Sequence, residues 1–449
     1  MDPRLVDALG RHPAIHDWTV RRQHGRSAQI FLVGNVVENV RQIEREAYEV
    51  EVFNDHDVEG TRHRGSATVP MSSADMDRLP EVLDTATVMA SLVHNPPWTL
   101  PESTQDLPEV ELSDPRLTTA EGSLAATREA ADLIRELAAS EAPNGVRLSA
   151  AELFVNTVEE ELHNSRGLIA TAASTHLMLE VVLLARQGDE EAEYFRQAEA
   201  RRLVDLRIAE TIVDGSRMAR DKLDAEAPRT RVGPVVVGGE ALPQLFGGTA
   251  VTQTGALLTQ ASASTAYSKL SRLELGRPIY GDLELAGDAV TVRANARLPF
   301  GVSSYRFDGD GVAAQDLLVV EDGVLRARPA TQRYAQYLGV PASGRPGMAQ
   351  VAAGSTSDEQ LLNGDGAICR VVAFSAPNVD ALTGDFGMEI RLGYEHGPDG
   401  VKPITGGSVT GNLFEALADV TLAEETAVFA SYAGPVAMRF GKLQIAGRD

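Results

Sequence analysis

The chain has 449 residues, of which 43% are hydrophobic and 23% charged; this globular composition excludes a wholly disordered or collagen-like chain. Its formal net charge of −23 repels nucleic acid and anionic lipid, so neither is expected as a partner. The single cysteine, Cys369, excludes an intrachain disulfide and fits a reducing compartment. The N-terminus lacks the apolar segment of a signal peptide, and no apolar run approaches the roughly 18 residues of a membrane span. We therefore expect a cytoplasmic protein with no membrane segment.

The first half of the chain is predicted to mix strands and helices. Strands are expected over residues 28–37, 48–53, 147–162 and 177–184. A helix over residues 72–94 has a serine at its start and ends before Pro96, because the residue before proline disfavours helical backbone. A connector rich in proline and acid follows over residues 101–115, and a strongly helical segment spans 118–140. A long charged helix is expected over residues 190–224, where apolar side chains keep helical spacing.

The sequence pattern changes after Pro228, where short strand-like runs alternate with glycine turns. Strands are expected over residues 233–238, 283–299, 317–328, 367–374, 387–394 and 437–446. The sequence therefore predicts an α+β fold with two domains. Residues 1–227 form a mixed α/β N-terminal domain in this prediction, and residues 228–449 form a β-rich C-terminal domain, barrel-like or built on a curved sheet.

The sequence carries none of the standard catalytic motifs. There is no G-x-S-x-G nucleophile elbow and no phosphate-binding loop. Carboxylates and histidines cluster over residues 55–63, but a solvated hairpin tip is the favoured interpretation. Residues 308–311 begin like a calcium loop, yet Val319 stands where a bidentate Glu is required, which favours a tight turn. Cys369 lies in an apolar run and is expected to be buried and structural.

Several segments in fixed order resemble the TldD/PmbA family, whose members are also called modulators of DNA gyrase. The C-terminal signature comprises T-G-D-F-G over residues 383–387, K-P-I over 402–404, V-T-G-N-L over 409–413 and L-Q-I-A-G over 443–447. Upstream, Y-L-G-V-P-A-S-G over residues 337–344 and N-S-R-G over 164–167 resemble two further family segments. The resemblance covers most of the chain and is stronger after residue 147.

This resemblance implies a degenerate metal site. TldD-type chains of the family carry H-E-x-x-x-H on a helix and a late cysteine, which together bind zinc, whereas TldE-type (PmbA) chains share the fold and lack the ligands. Here Gly239 and Gln244 stand at the two histidine positions, and neither supplies an imidazole. Glu240 stands at the position of the catalytic glutamate, where it is expected to be a relic or a structural acid. We expect no metal in this chain and zinc in a TldD-type partner.

The resemblance also implies a partner and a substrate. TldD-type and TldE-type chains pair as heterodimers that enclose a proteolytic chamber and degrade or trim unfolded peptides, including leader peptides of ribosomally made products. This chain would then be a non-catalytic subunit that closes the chamber and helps to hold peptide. Polar turn residues often line such clefts, so Asn164, Ser165 and Arg166 are candidate peptide-binding residues, although a plain turn explains them equally well.

Two alternatives remain open from the sequence. The first is a homodimeric hydrolase with chemistry other than zinc, for which Glu240, Asp385 and His396 are the candidate residues. The second is a binding or scaffold protein without a proteolytic partner, as the family's link to gyrase suggests. No base and nucleophile are visible at short spacing, which counts against the hydrolase.

Overall fold

The N-terminal half of the computed structural model is an antiparallel sheet with helices against it. The structure describes residues 1–103, 106–246, 255–364, 366–375 and 379–448. The strands follow the spatial order β3-β2-β1-β4-β5-β6. Their bounds are β1 Asp17–Val33, β2 Val36–Val58, β3 Thr61–Met71, β4 Val146–Asn164, β5 Ile169–Gln187 and β6 Glu190–Ala200. The strands predicted over 48–53, 147–162 and 177–184 are confirmed, and each is longer than predicted. The segment predicted as one strand over 28–37 instead holds the end of β1, a turn at Gly34 and Asn35, and the start of β2.

Helices of this half cover the sheet. Their bounds are α1 Pro3–Arg11, α2 Leu79–Ser91, α3 Ala120–Glu141 and α4 Ile208–Leu223. Helix α3 begins where Thr119 Oγ1 accepts a hydrogen bond from Gly122 N at 3.0 Å, which satisfies one of the free amides of the first turn. Its small apolar face and the buried face of α4 pack on β4 and β5 in one core. The helices predicted over 72–94 and 118–140 are therefore confirmed in type and approximate bounds.

The prediction of one helix over residues 190–224 is wrong for its first part. Residues 190–200 form β6, which pairs with β5 from Gln187↔Glu190 to Leu177↔Ala200. The segment contains good helix formers, but pairing with a preformed neighbour outweighs this local preference. Helix α4 begins after Arg207, whose φ of 47° lies in the left-handed region.

The C-terminal half contains a closed barrel. Strand β12 pairs with both β7 and β13, and the ring continues through β19 and β15. Strand β14 extends this sheet from β13, and β16 pairs with β19. The bounds are β7 Arg231–Gly238, β12 Ile368–Phe374, β13 Asp385–Gly397, β14 Gly400–Ile404, β15 Ser408–Asn412, β16 Val420–Leu422 and β19 Ala437–Ala446. The predicted α+β fold with a barrel-like C-terminal part is confirmed.

A second sheet packs against the barrel in the order β10-β9-β8-β11-β18-β17. Its strands are β8 Val292–Asn295, β9 Asp316–Glu321, β10 Val324–Leu325, β11 Met348–Val351, β17 Thr426–Phe429 and β18 Tyr432–Pro435. Of the strand predicted over 283–299, only the four residues of β8 form a strand. Short helices complete this half: α5 Leu242–Phe246, α6 Ala256–Ala261, α7 Ala263–Tyr267, α8 Gln332–Leu338 and α9 Leu413–Ala416.

The two halves share buried contacts. Ala373 of β12 and Leu392 of β13 belong to the same core cluster as α3, α4 and the first sheet. Tyr394 Oη donates to Asp221 Oδ2 at 2.6 Å, which ties β13 to α4. The predicted boundary between residues 227 and 228 falls in the connection from α4 to β7, and the division into domains stays a prediction. Within the described ranges, no helix combines the length and apolar character needed to cross a bilayer.

Candidate functional site

A cavity of about 770 Å³ lies where edge strand β6 and helix α4 meet the barrel strands β12 and β13. Gly239, Glu240 and Gln244 all line it, so the structure brings the positions of the degenerate metal motif together at one surface. These residues follow directly on β7, in a short helical turn from Gly239 to Ala241 and in α5.

The backbone and contacts of these residues do not suit a zinc site. Gly239 has φ +57°, a conformation that favours glycine, and the position has no side chain to offer as a ligand. Glu240 Oε1 accepts a hydrogen bond from Arg196 Nε at 2.6 Å, so the carboxylate is already paired. The side-chain oxygen of Gln244 is buried without a hydrogen-bond partner in the described part of the chain. An amide is a poor zinc ligand, so the donor set does not fit this metal.

The other metal-binding side chains that the structure describes do not make up for these missing ligands. Cys369 is fully buried in β12, and burial raises the pKa of its thiol to about 12. A thiolate, the form that binds zinc, is therefore disfavoured there. Across the ranges that the structure describes, no group of three or more His, Cys, Asp or Glu side chains is placed to hold a metal ion. The described donors around the cavity therefore do not form a ligand set that suits zinc.

Strand β6 gives the cavity an open sheet edge. The sheet ends at β6, and no described strand pairs with its outer side. Residues 195–199 of this strand line the cavity. An extended peptide can add to such an edge through main-chain hydrogen bonds, which need little side-chain selectivity. The arrangement is therefore suited to binding an unfolded chain.

A second cavity, of about 510 Å³, shares lining residues with the first. Glu199 and Ala430 border both, so the two spaces adjoin across the face of β5 and β6. His176 Nε2 lies 3.3 Å from Glu199 Oε2, and this hydrogen bond lowers the pKa of the Glu199 carboxyl. On the same face, burial and then the charge of Glu152 raise the pKa of Glu180. The two cavities therefore lie side by side on this face of the sheet.

The predicted peptide-binding turn lies elsewhere. Asn164 Oδ1 accepts from the amides of Arg166 and Leu168, and its Nδ2 donates to Pro101 O at 2.8 Å. Ser165 Oγ and Arg166 Nη2 both donate to Asp17, at 2.6 and 2.8 Å. None of the three turn residues lines either cavity. Their contacts tie β4 to β1, and a role in peptide binding stays a prediction.

The residues of the alternative hydrolase are likewise separated. Asp385 and His396 stand near opposite ends of β13, and a strand of this length spans roughly 35–40 Å. Neither residue lines the cavity that contains Glu240. The structure therefore does not assemble these three side chains into one catalytic group.

Comparison with known proteins agrees with this architecture. Residues 233–447 match the family model described as "PmbA/TldA metallopeptidase C-terminal domain". Through residues 233–447, just under half of the chain, the protein is similar to the TldD/PmbA family. A curated relative, "Metalloprotease PmbA" of Escherichia coli O157:H7, is 27% identical over 259 residues, 56% of this chain and 54% of the relative. The chain thus spans about half the length of that curated relative.

The fold of nearly the whole chain has a solved counterpart. The crystal structure of TldE from Thermococcus kodakarensis superposes with a TM-score of 0.77, covering 96% of this chain and 97% of the other. The identity is 16%, so this likeness concerns the fold. The TldD/PmbA family is metallopeptidase-like, as the family description states.

Three side chains of the cavity are not marked by any sequence pattern. Phe195 and Arg196 lie in the segment predicted as helix, and Arg391 lies in the middle of β13. Recognition of residues 190–200 as an edge strand is the signal that points to the first two. Arg391 reaches the site only through the contact between the barrel and the first sheet, which no local pattern encodes.

Proposed function

We propose that this chain is a non-catalytic, TldE-type subunit of a heterodimeric TldD/TldE zinc metallopeptidase that degrades or trims unfolded peptides. The main support for this proposal is the chemistry of the three residues that stand at the zinc-motif positions and line the cavity. Gly239 has a left-handed backbone, Glu240 is paired with Arg196, and Gln244 offers an amide. A metal-activated water has no protein ligands to hold it here, so the zinc is assigned to a TldD-type partner.

The role of this subunit is to hold an extended peptide. The open edge of β6 supplies main-chain donors and acceptors to a chain of any sequence. Most strands of a folded protein are already paired, whereas an unfolded chain can adopt an extended conformation at the edge, so this mode of binding favours unfolded substrates. Leader-peptide removal from ribosomally made products is one process that uses a substrate of this kind.

Native mass spectrometry tests the assignment. The full chain is measured alone and after co-production with a TldD-type chain that carries H-E-x-x-x-H, and assembly mass and zinc content are read together. A one-to-one complex with one zinc, formed only with the partner, is the expected result. The matched control is the same partner with both motif histidines changed to alanine, which should still pair but lose the metal.

The same measurement separates the alternatives. A metal-bearing homodimer of this chain alone would contradict the proposal and favour a self-sufficient hydrolase. A metal-free homodimer that ignores the TldD-type chain would instead favour a binding or scaffold protein. Digestion of an unfolded protein such as reduced casein by the one-to-one complex, but by neither chain alone, completes the positive case.

A further inference from the structure

The charged side chains that line the 770 Å³ cavity have ion-pair or hydrogen-bond partners, with one exception among the described residues. Every described carboxylate at its wall has a basic partner within 4 Å. These pairs are Glu240–Arg196, Glu210–Arg207, Asp214–Arg217, Asp205–Arg202 and Glu199–His176. Arg370, a further arginine of the wall, pairs with Asp358 at 2.8 Å. Among the described residues, only Arg391 lines this cavity as a charged side chain without an ion pair.

Arg391 is nevertheless held in place. Its guanidinium lies over the ring of Phe195, 5.4 Å from the ring centre, in a cation–π contact. Its backbone is fixed in β13, where the carbonyl accepts a hydrogen bond from Thr405 Oγ1 at 2.8 Å. A guanidinium that packs on a ring by its face keeps the N–H groups at its edge available for another acceptor.

A second cation lies near the Arg391 guanidinium. The pKa of Lys222 is lowered by burial and then by the charge of Arg391, while the charges of Glu193 and Glu389 act on it in the opposite direction. The protein as a whole carries a net charge of −23, so an unpaired arginine at a cavity wall is not a consequence of composition. An anion that entered the cavity would be attracted to the guanidinium of Arg391.

We propose that Arg391 anchors a carboxylate of the extended peptide that binds beside β6, either its C-terminus or an acidic side chain. Phe195 belongs to β6 and Arg391 lies over it, so a peptide added to this edge passes the guanidinium. Arginine recognises a carboxylate through paired N–H···O contacts, which fix direction as well as position. The inference rests on the proposed peptide-binding function and adds a substrate determinant to it.

Fluorescence anisotropy with one unfolded decapeptide in three forms tests this. The forms are the free acid, the C-terminal amide, and the amide with one internal Glu. The full chain should bind the free acid about tenfold or more tightly than the amide, because a charge-assisted hydrogen bond is lost with the carboxylate. If the amide with Glu recovers the affinity, an acidic side chain is accepted; if it does not, the site reads the C-terminus.

Substitutions of Arg391 test whether this side chain causes the difference in affinity between the free acid and the amide. Arg391→Gln should reduce binding of the free acid to that of the amide, and Arg391→Lys should retain part of the difference because the charge remains. Arg293→Gln, at an arginine of β8 that pairs with Asp316 outside the cavity, is the matched control and should bind as the unmodified chain does. If Arg391→Gln does not fold, raising the salt concentration on the unmodified chain should shrink the difference between acid and amide.

The failures are distinguishable. Equal, measurable binding of all three peptides by the unmodified chain, or an unchanged difference in a folded Arg391→Gln variant, overturns the anchor and leaves the peptide-binding function standing. Absence of binding by all three peptides overturns both.

Discussion

The carboxyl of Glu51 provides a quantitative test of the packing between the two halves of the chain. It lies on β2, and burial followed by the negative charge of Asp310 raises its pKa from 4.5 to about 7. A hydrogen bond from Ser66 and the charge of Arg333 oppose this rise without cancelling it. The pKa of nearby Asp308 is also raised to about 7, again by burial and by Asp310. Ionisation of Glu51 therefore works against folding.

The sign and size of the effect of Glu51 on the free energy of unfolding follow from the linkage between proton binding and folding. A group whose pKa is higher in the folded state stabilises the protein below its unfolded pKa of 4.5, and this stability is lost as pH rises through about 7. Each pKa unit corresponds to ~1.4 kcal/mol, so the ionised Glu51 costs up to about 3 kcal/mol near pH 8. Glu51→Gln keeps the size and removes the charge. It should raise the free energy of unfolding by up to that amount at pH 8 and change it little at pH 4.

Urea unfolding at pH 4, 6 and 8 measures this difference. Glu38→Gln is the matched control, since Glu38 is an exposed residue of the same strand and should change stability by less than about 0.5 kcal/mol at every pH. A Glu51→Gln variant that is less stable than the unmodified chain at pH 8, or a gain that does not vary with pH, would refute the reasoning.

Two further predictions concern buried groups. Arg201 donates to the carbonyl oxygens of Gly301 and Ser304, at 2.7 Å each, and of Thr175, at 3.0 Å, so Arg201→Met should lower the free energy of unfolding by about 3–5 kcal/mol in urea titration. An Arg201→Met chain as stable as the original would contradict this expectation. Cys369, with its pKa raised to about 12, should not react with a thiol reagent at pH 8 unless denaturant is added. Rapid labelling of the native chain would instead indicate opening of the barrel.

Local sequence patterns predict the elements that are stabilised locally or buried on one face. Alternating burial along β4 and β5 and the capped, alanine-rich α3 are visible in the sequence because their periods are 2.0 and 3.6 residues. Strand β6 cannot be predicted from its own sequence, since its glutamates and alanines favour helix. It forms a strand because it pairs with the adjacent edge of β5. The strand expected over 283–299 fails for the opposite reason, because only four of its residues find partners.

The candidate site is likewise predictable from the sequence only in part. The motif positions Gly239, Glu240 and Gln244 can be located by resemblance, since they occupy one short segment of the family pattern. The partner of Glu240 is Arg196, 44 positions away, and Phe195 meets Arg391 from the other half of the chain. Such pairs depend on how the barrel packs against the first sheet. Packing between residues far apart in the chain produces no periodic pattern in the sequence.

The ring of barrel strands also fixes when the C-terminal half can fold during synthesis. Strand β7 is its first member along the chain and β19 its last, yet they are neighbours, and Gly447 N donates to Thr230 Oγ1 across 217 positions. Until β19 leaves the ribosome, β7 and β15 each expose an unpaired edge. The sheet of the first half is complete by then, because β6 ends at Ala200. Each nascent chain therefore passes through a stage with a finished sheet and an open barrel, and the translation rate between β7 and β19 sets how long it is exposed to aggregation.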